Sequence, residues 1–68
     1  MLFKMYRKKK GYSQETLAEI IGISIKQYQL IEADKYQPNL FVLANLIKEL
    51  AINDQDIINY IKNFSTLS

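Results

Sequence analysis

Apolar residues recur three and four positions apart along almost the whole chain, and no stretch alternates in the two-residue rhythm of a strand. The pattern therefore predicts an all-α domain. Phe3 and Tyr6 lie on one face of a first helix that should stop near Lys10, because Gly11 can take the left-handed conformation that ends helices. Ser13 suits the N-cap of a second helix, with Gln14 and Glu15 in its first turn and Leu17, Ala18 and Ile21 facing inward, and Gly22 ends it. Only Gly22, Ile23 and Ser24 separate it from the next apolar-periodic segment, so two short helices must cross at a steep angle. Ser24 with Gln27 has the form of a capping box, which starts a third helix at about residue 25 and carries it to about Ala33.

Asp34 tolerates a left-handed stop, and Lys35, Tyr36 and Gln37 lead as a polar loop to Pro38, which discourages helix. Asn39 caps a fourth helix carrying Leu40, Leu43, Leu46, Ile47 and Leu50. A fifth helix begins at Asn53 or Asp54 and presents Ile57, Ile58, Ile61 and Phe64. The expectation is a compact five-helix bundle forming one domain over residues 1–64, with residues 65–68 fraying.

Composition narrows the chemistry. With 68 residues, 49% hydrophobic and 24% charged, the chain has one modest core and little room for a substrate cavity. It contains no cysteine and no histidine, which removes disulfides, the usual zinc sites and histidine acid–base catalysis. No nucleophile with a base, paired-carboxylate pocket or phosphate loop is visible, so neither an enzyme nor a cofactor is expected. The lysines of MLFKMYRKKK follow its apolar residues and no long apolar run comes after them, so neither a signal peptide nor a membrane span is expected, and a reducing cytoplasm is the default compartment. The net charge of +2 is too small to identify a nucleic-acid partner. Arg7, Lys8, Lys9 and Lys10 do form one basic run, which suits either a polyanion or simply the C-terminal end of a helix.

Short helices joined by a three-residue glycine turn and backed by further helices describe a helix-turn-helix. More specific are Arg7, the run Gly11-Tyr12-Ser13-Gln14, Leu17-Ala18, Gly22-Ile23-Ser24, Ile31-Glu32, Pro38 and Leu50-Ala51-Ile52. Together these make the chain, from about Phe3 to Ile57, resemble the lambda-repressor-like helix-turn-helix family of Cro and Xre type transcriptional regulators. The resemblance implies a third helix that enters the major groove of double-stranded DNA, usually in a two-fold homodimer on a palindromic operator. It also implies that Arg7 and Glu32 pair, tying the reading helix to its scaffold, and that Gln14 contacts a phosphate.

On the third helix itself, Tyr28 and Ile31 share one face and must point into the core with Ile23, Leu17 and Leu43, leaving Lys26, Gln29, Leu30 and Ala33 opposite. Ser24, Ile25, Lys26, Gln29 and Leu30 are the base-reading candidates. Lys26 suits guanine or a phosphate, and Gln29 suits adenine or the backbone. Ile25 and Leu30 either pack on thymine methyl groups or form a protein-binding patch. Gln14, Gln27, Lys35 and Asn39 are candidates for phosphate contacts, with Gln27 compromised if the capping box holds its side chain. Asp34 stands where the family often has glycine and puts a negative charge where phosphates would pass.

Phe41 and Val42 fall away from Leu43 and Leu46 on the helical wheel, and the fifth helix is too apolar for one inward stripe. Phe41, Val42, Ile58, Ile61 and Phe64 are therefore expected to form a dimer or partner patch. The expected function is a sequence-specific DNA-binding transcriptional regulator, a phage- or plasmid-type repressor with little besides its DNA-binding domain. The alternative is a helix-turn-helix fold that binds a regulatory partner protein, as an antirepressor would.

Overall fold

A computed structural model of the chain describes residues 2–65, leaving out the side chains of Phe64 and Ser65. Five helices follow one another: α1 (Leu2–Lys10), α2 (Gln14–Ile21), α3 (Ile25–Glu32), α4 (Leu40–Leu50) and α5 (Asp54–Ser65). No strand occurs among the described residues. α5 continues through Ser65, one residue past the expected end of the domain, and residues 66–68 of the expected frayed end lie outside the described residues.

Capping side chains set where four of the helices begin. The Ser13 and Ser24 hydroxyls accept from the backbone N–H of Thr16 and Gln27, each at 3.0 Å. The Asn39 and Asn53 carboxamide oxygens accept from Val42 and Asp56 at 2.9 and 2.8 Å. Each bond satisfies an amide that has no acceptor inside its helix. The other half of the box at Ser24 does not form: among the described residues the Gln27 side chain has no hydrogen bond to the Ser24 backbone, so its carboxamide is not held there.

The first four helices all stop in the same way. A residue with positive φ closes each: Gly11 (80°), Gly22 (88°) and Ala51 (51°) directly after the helix, and Asp34 (60°) one residue later, after Ala33. The two N–H groups at each stop turn back onto the last turn of the helix. At the first stop Gly11 donates to Lys8 and Tyr12 to Arg7; at Gly22 the pair is Gly22 to Glu19 and Ile23 to Ala18. At the third it is Asp34 to Ile31 and Lys35 to Leu30, and at the fourth Ala51 to Lys48 and Ile52 to Ile47. This pairing satisfies carbonyls that would otherwise be orphaned at a helix end.

The core gathers Phe3 and Tyr6 of α1, Leu17, Ala18 and Ile21 of α2, Tyr28 and Ile31 of α3, and Val42, Leu46 and Leu50 of α4, closed below by Ile52. Ile23, Leu43, Ile57 and Tyr60 pack against it half-buried, and the Phe3 and Tyr60 rings meet edge to face at 5.0 Å. Two long-range tyrosine bonds fasten the outer elements. Tyr12 donates to Glu49 at 2.8 Å and Tyr6 to Asp56 at 2.6 Å.

One expectation about α4 is overturned. Val42 does not belong to a surface patch: only 8% of it is exposed, because it lies one turn before Leu46 and two before Leu50 and completes their inward stripe. Leu40 is instead 78% exposed, beside Phe41 at 82%. Four consecutive apolar residues open α4, and they occupy every side of its first turn, so only two of them can face inward. Among the described residues no helix is long and apolar enough to cross a membrane.

Candidate nucleic-acid interface

α3 begins and ends under constraint. The Ser24 cap fixes its start, and the Asp34 stop fixes its end. Between them Tyr28, Ile31 and Glu32 are buried, while Ile25, Lys26, Gln29, Leu30 and Ala33 are exposed along the opposite side. An eight-residue helix has too little internal stability to hold its own orientation, so its inward contacts must supply it.

One of those contacts is ionic. Arg7 of α1 donates from Nε to Glu32 Oε2 at 2.9 Å and from Nη2 to Oε1 at 3.1 Å, a two-pronged pair whose side chains are 10% and 6% exposed. Tyr28, one turn earlier on α3, donates its hydroxyl to Oε2, and Gln14 donates from Nε2 to Oε1 at 3.0 Å. Four donors thus fill the four acceptor positions of one carboxylate. Burial pushes the Glu32 carboxyl up, but the hydrogen bonds from Arg7, Tyr28 and Gln14 outweigh it and hold the group below its ordinary value. The remaining Arg7 prong reaches the Tyr12 carbonyl at 2.8 Å and ties the start of α2 to the same knot. The Tyr28 hydroxyl is pushed well above its ordinary range, by burial first and by its bond to Glu32 second.

The chain of bonds continues outward. Gln14 Oε1 accepts from Gln29 Nε2 at 3.2 Å, so a buried carboxylate is linked through one glutamine to another on the exposed face of α3. Lys4, Gln14, Gln29, Glu32 and Ala33 line a shallow concavity of about 160 Å³ where α1, α2 and α3 meet. The carboxamide of Gln14 faces Glu32, so what it leaves for a phosphate is its second N–H and the backbone amides of the first turn of α2.

The structure brings together Arg7, Gln14, Gln29 and Glu32. Ser24, Ile25, Lys26 and Leu30 share the same exposed side of the helix or its cap, and Gln27 is half-buried at the edge. Lys35 is exposed just beyond the helix, and Asn39 is exposed with its carboxamide oxygen committed to capping α4. Ile58 and Ile61 are exposed on α5, at 45% and 49%, whereas the Phe64 side chain lies outside the described residues. Lys4 and the Tyr28 hydroxyl were not singled out by sequence. Both had a signal there, since Lys4 stands three residues before Arg7 and Tyr28 four before Glu32, each one helical turn away. Among the described residues no group of histidine, cysteine or carboxylate side chains is arranged to hold a metal ion.

A protein-family model described as helix-turn-helix matches residues 3–57. Neither a curated protein nor a solved structure matches the chain.

Proposed function

The chain belongs to the lambda-repressor-like helix-turn-helix family, whose members are DNA-binding transcription regulators, and from that premise we propose that it is a sequence-specific repressor of phage or plasmid type. In this reading α3 enters the major groove, and two copies of the chain bind a palindromic operator. The observation that carries it is the exposed side of α3, with Ile25, Lys26, Gln29 and Leu30 presented by a helix pinned through the buried Arg7–Glu32 pair. Lys26 donates to guanine or to a phosphate, and Ile25 and Leu30 pack on thymine methyl groups. Lys35, Gln27, Asn39 and the first turn of α2 hold flanking phosphates.

Selection from random double-stranded DNA tests this reading. The wild-type chain is expected to enrich an inverted repeat, and Lys26→Ala to weaken binding to it by about 1–3 kcal/mol in a gel shift. A selection that enriches nothing at low salt would sink it.

A second reading has its own support. Leu40 and Phe41 are almost fully exposed and adjacent, and Ile25 and Leu30 add apolar surface on α3. A helix-turn-helix domain that binds a regulatory protein would use such a surface. It is favoured if no DNA sequence is enriched and a stable complex forms with one protein, lost on Phe41→Ser.

A further inference from the structure

The bonds around Glu32 carry directional information as well as stability. An ionised carboxylate only accepts, so the Gln14 side chain must turn its NH₂ group toward Glu32 Oε1, as the 3.0 Å contact places it. The amide is planar, which sends Gln14 Oε1 the other way. A carbonyl oxygen also only accepts, so Gln29 must turn its own NH₂ group toward Gln14, at 3.2 Å. A free glutamine on a helix surface can flip its amide at little cost and match either polarity of partner. Gln29 has lost that freedom.

We propose that Gln14 is a positioning residue that transmits the polarity of the buried Arg7–Glu32 pair to Gln29, so that Gln29 meets DNA with its carbonyl oxygen outward and only one N–H to spare. This rests on the DNA reading proposed above and deepens it to one base. With the oxygen outward, Gln29 accepts from an exocyclic amine, and its spare N–H donates to a neighbouring acceptor. Among single bases only adenine offers that pair, N6–H as donor and N7 as acceptor, since cytosine presents its N4–H donor with no acceptor of its own beside it. Guanine presents two acceptors, which would set its O6 against the Gln29 oxygen, and thymine presents one acceptor and a methyl group. A glutamine free to flip would still take adenine, but it would also accommodate the others by turning over.

The polarity is fixed at its source because all four acceptor positions of Glu32 are filled, by Arg7 twice, Tyr28 and Gln14. No rearrangement of the knot gives Gln14 a donor to face instead of the carboxylate. Gln14 itself touches no base in this arrangement, and its influence on base choice passes through Gln29.

The test is random-DNA selection with the full chain as wild type, Gln29→Ala, Gln14→Met and the double variant. Methionine keeps the length of the Gln14 side chain and removes its hydrogen bonds, and thermal unfolding confirms that each variant is folded. Gln29→Ala is expected to relax one base pair of the selected motif, with preference for adenine there falling roughly tenfold. Gln14→Met is expected to relax that same base pair by a similar factor, and the double variant to lose no more than either single one, because both act on one contact. Amide exchange adds a readout without DNA: the Gln29 side-chain protons should exchange faster in Gln14→Met than in the wild type.

The proposal is overturned if Gln14→Met weakens binding to all sequences alike and leaves the motif intact, as a simple phosphate contact would. It is also overturned if Gln29→Ala relaxes no base pair, or if exchange at Gln29 is unchanged in Gln14→Met. A wild type that enriches no motif is a different outcome, since it removes the DNA reading and this inference with it.

Discussion

Glu32 shows how one residue can be costly and still worth keeping. A lone buried carboxylate would cost several kcal/mol, and only its four donors make the ionised form acceptable at 6% exposure. Removing one donor therefore harms more than the lost bond. Arg7→Met is expected to destabilise the fold by about 3–5 kcal/mol in urea unfolding, since it leaves the charge without its cation. That is a large share of the roughly 3–10 kcal/mol available to a chain of this length. The same residue sets the acid limb of the stability profile. Because the folded value of Glu32 lies below its ordinary 4.5, its contribution is complete above that value and is lost as pH falls through the folded one. The tyrosines act with the opposite sign. Burial first, and the Asp34 charge second, push Tyr60 from 10.0 up to about 12, so its contribution is present below 10 and lost as pH rises from 10.0 to 12. With no histidine in the chain, thermal unfolding should give a plateau from roughly pH 6 to 9. A step near neutrality would contradict these assignments.

At the level of helices, starts were easier to read from sequence than faces. Ser13, Ser24, Asn39 and Asn53 announce themselves because a short polar side chain ahead of an apolar rhythm has few other uses. Stops were legible only where the residue is permissive. Gly11, Gly22 and Asp34 were readable, but Ala51 adopts φ 51° with no glycine to signal it, held by the bonds that close α4 over the core. Val42 was misread as surface because LFVL offers an apolar residue in every direction, and packing buries Val42 while leaving Leu40 and Phe41 outside. The links from Tyr12 to Glu49 and from Tyr6 to Asp56 join residues 37 and 50 positions apart, and no local pattern encodes them. In the interface, the Arg7–Glu32 pairing came from the family resemblance, while the onward bonds to Gln14 and Gln29 depend on how two helices cross. Ala51 also gives a prediction. A left-handed alanine pays a steric penalty that glycine avoids, and the Ala51 side of the molecule is solvent-facing. Ala51→Gly is expected to raise stability by about 1 kcal/mol, or roughly 4–8 °C in melting temperature. A lower melting temperature would mean that the alanine methyl group contributes packing its exposure does not reveal.

The Cα atoms span 31 × 22 × 19 Å, comparable to the spacing of about 34–36 Å between successive major-groove half-sites on one face of DNA. In the two-copy reading proposed above, one copy covers one half-site, and the palindrome takes a second copy joined through a surface away from α3. Two exposed apolar surfaces compete for that role: Leu40 with Phe41 at the start of α4, and Ile58 with Ile61 on α5. The second is the better seam. Ile58 and Ile61 stand three residues apart on one helical face, and a helix face can pack against its own copy about a two-fold axis, whereas Leu40 and Phe41 are neighbours pointing in different directions from a helix end. Both pairs are exposed enough that polar replacement should change the stability of the fold by no more than about 0.5 kcal/mol each. Ile58→Ser with Ile61→Ser is therefore expected to sediment as a folded monomer at concentrations where the wild type is dimeric, while Leu40→Ser with Phe41→Ser stays dimeric. The monomeric variant should also lose at least tenfold in affinity for a full palindrome and little for an isolated half-site, because linking two readers multiplies affinity only when both engage. A dimer that survives the α5 changes and dissolves with the α4 changes would move the seam to α4, and would make Phe41 the residue on which symmetric DNA binding depends.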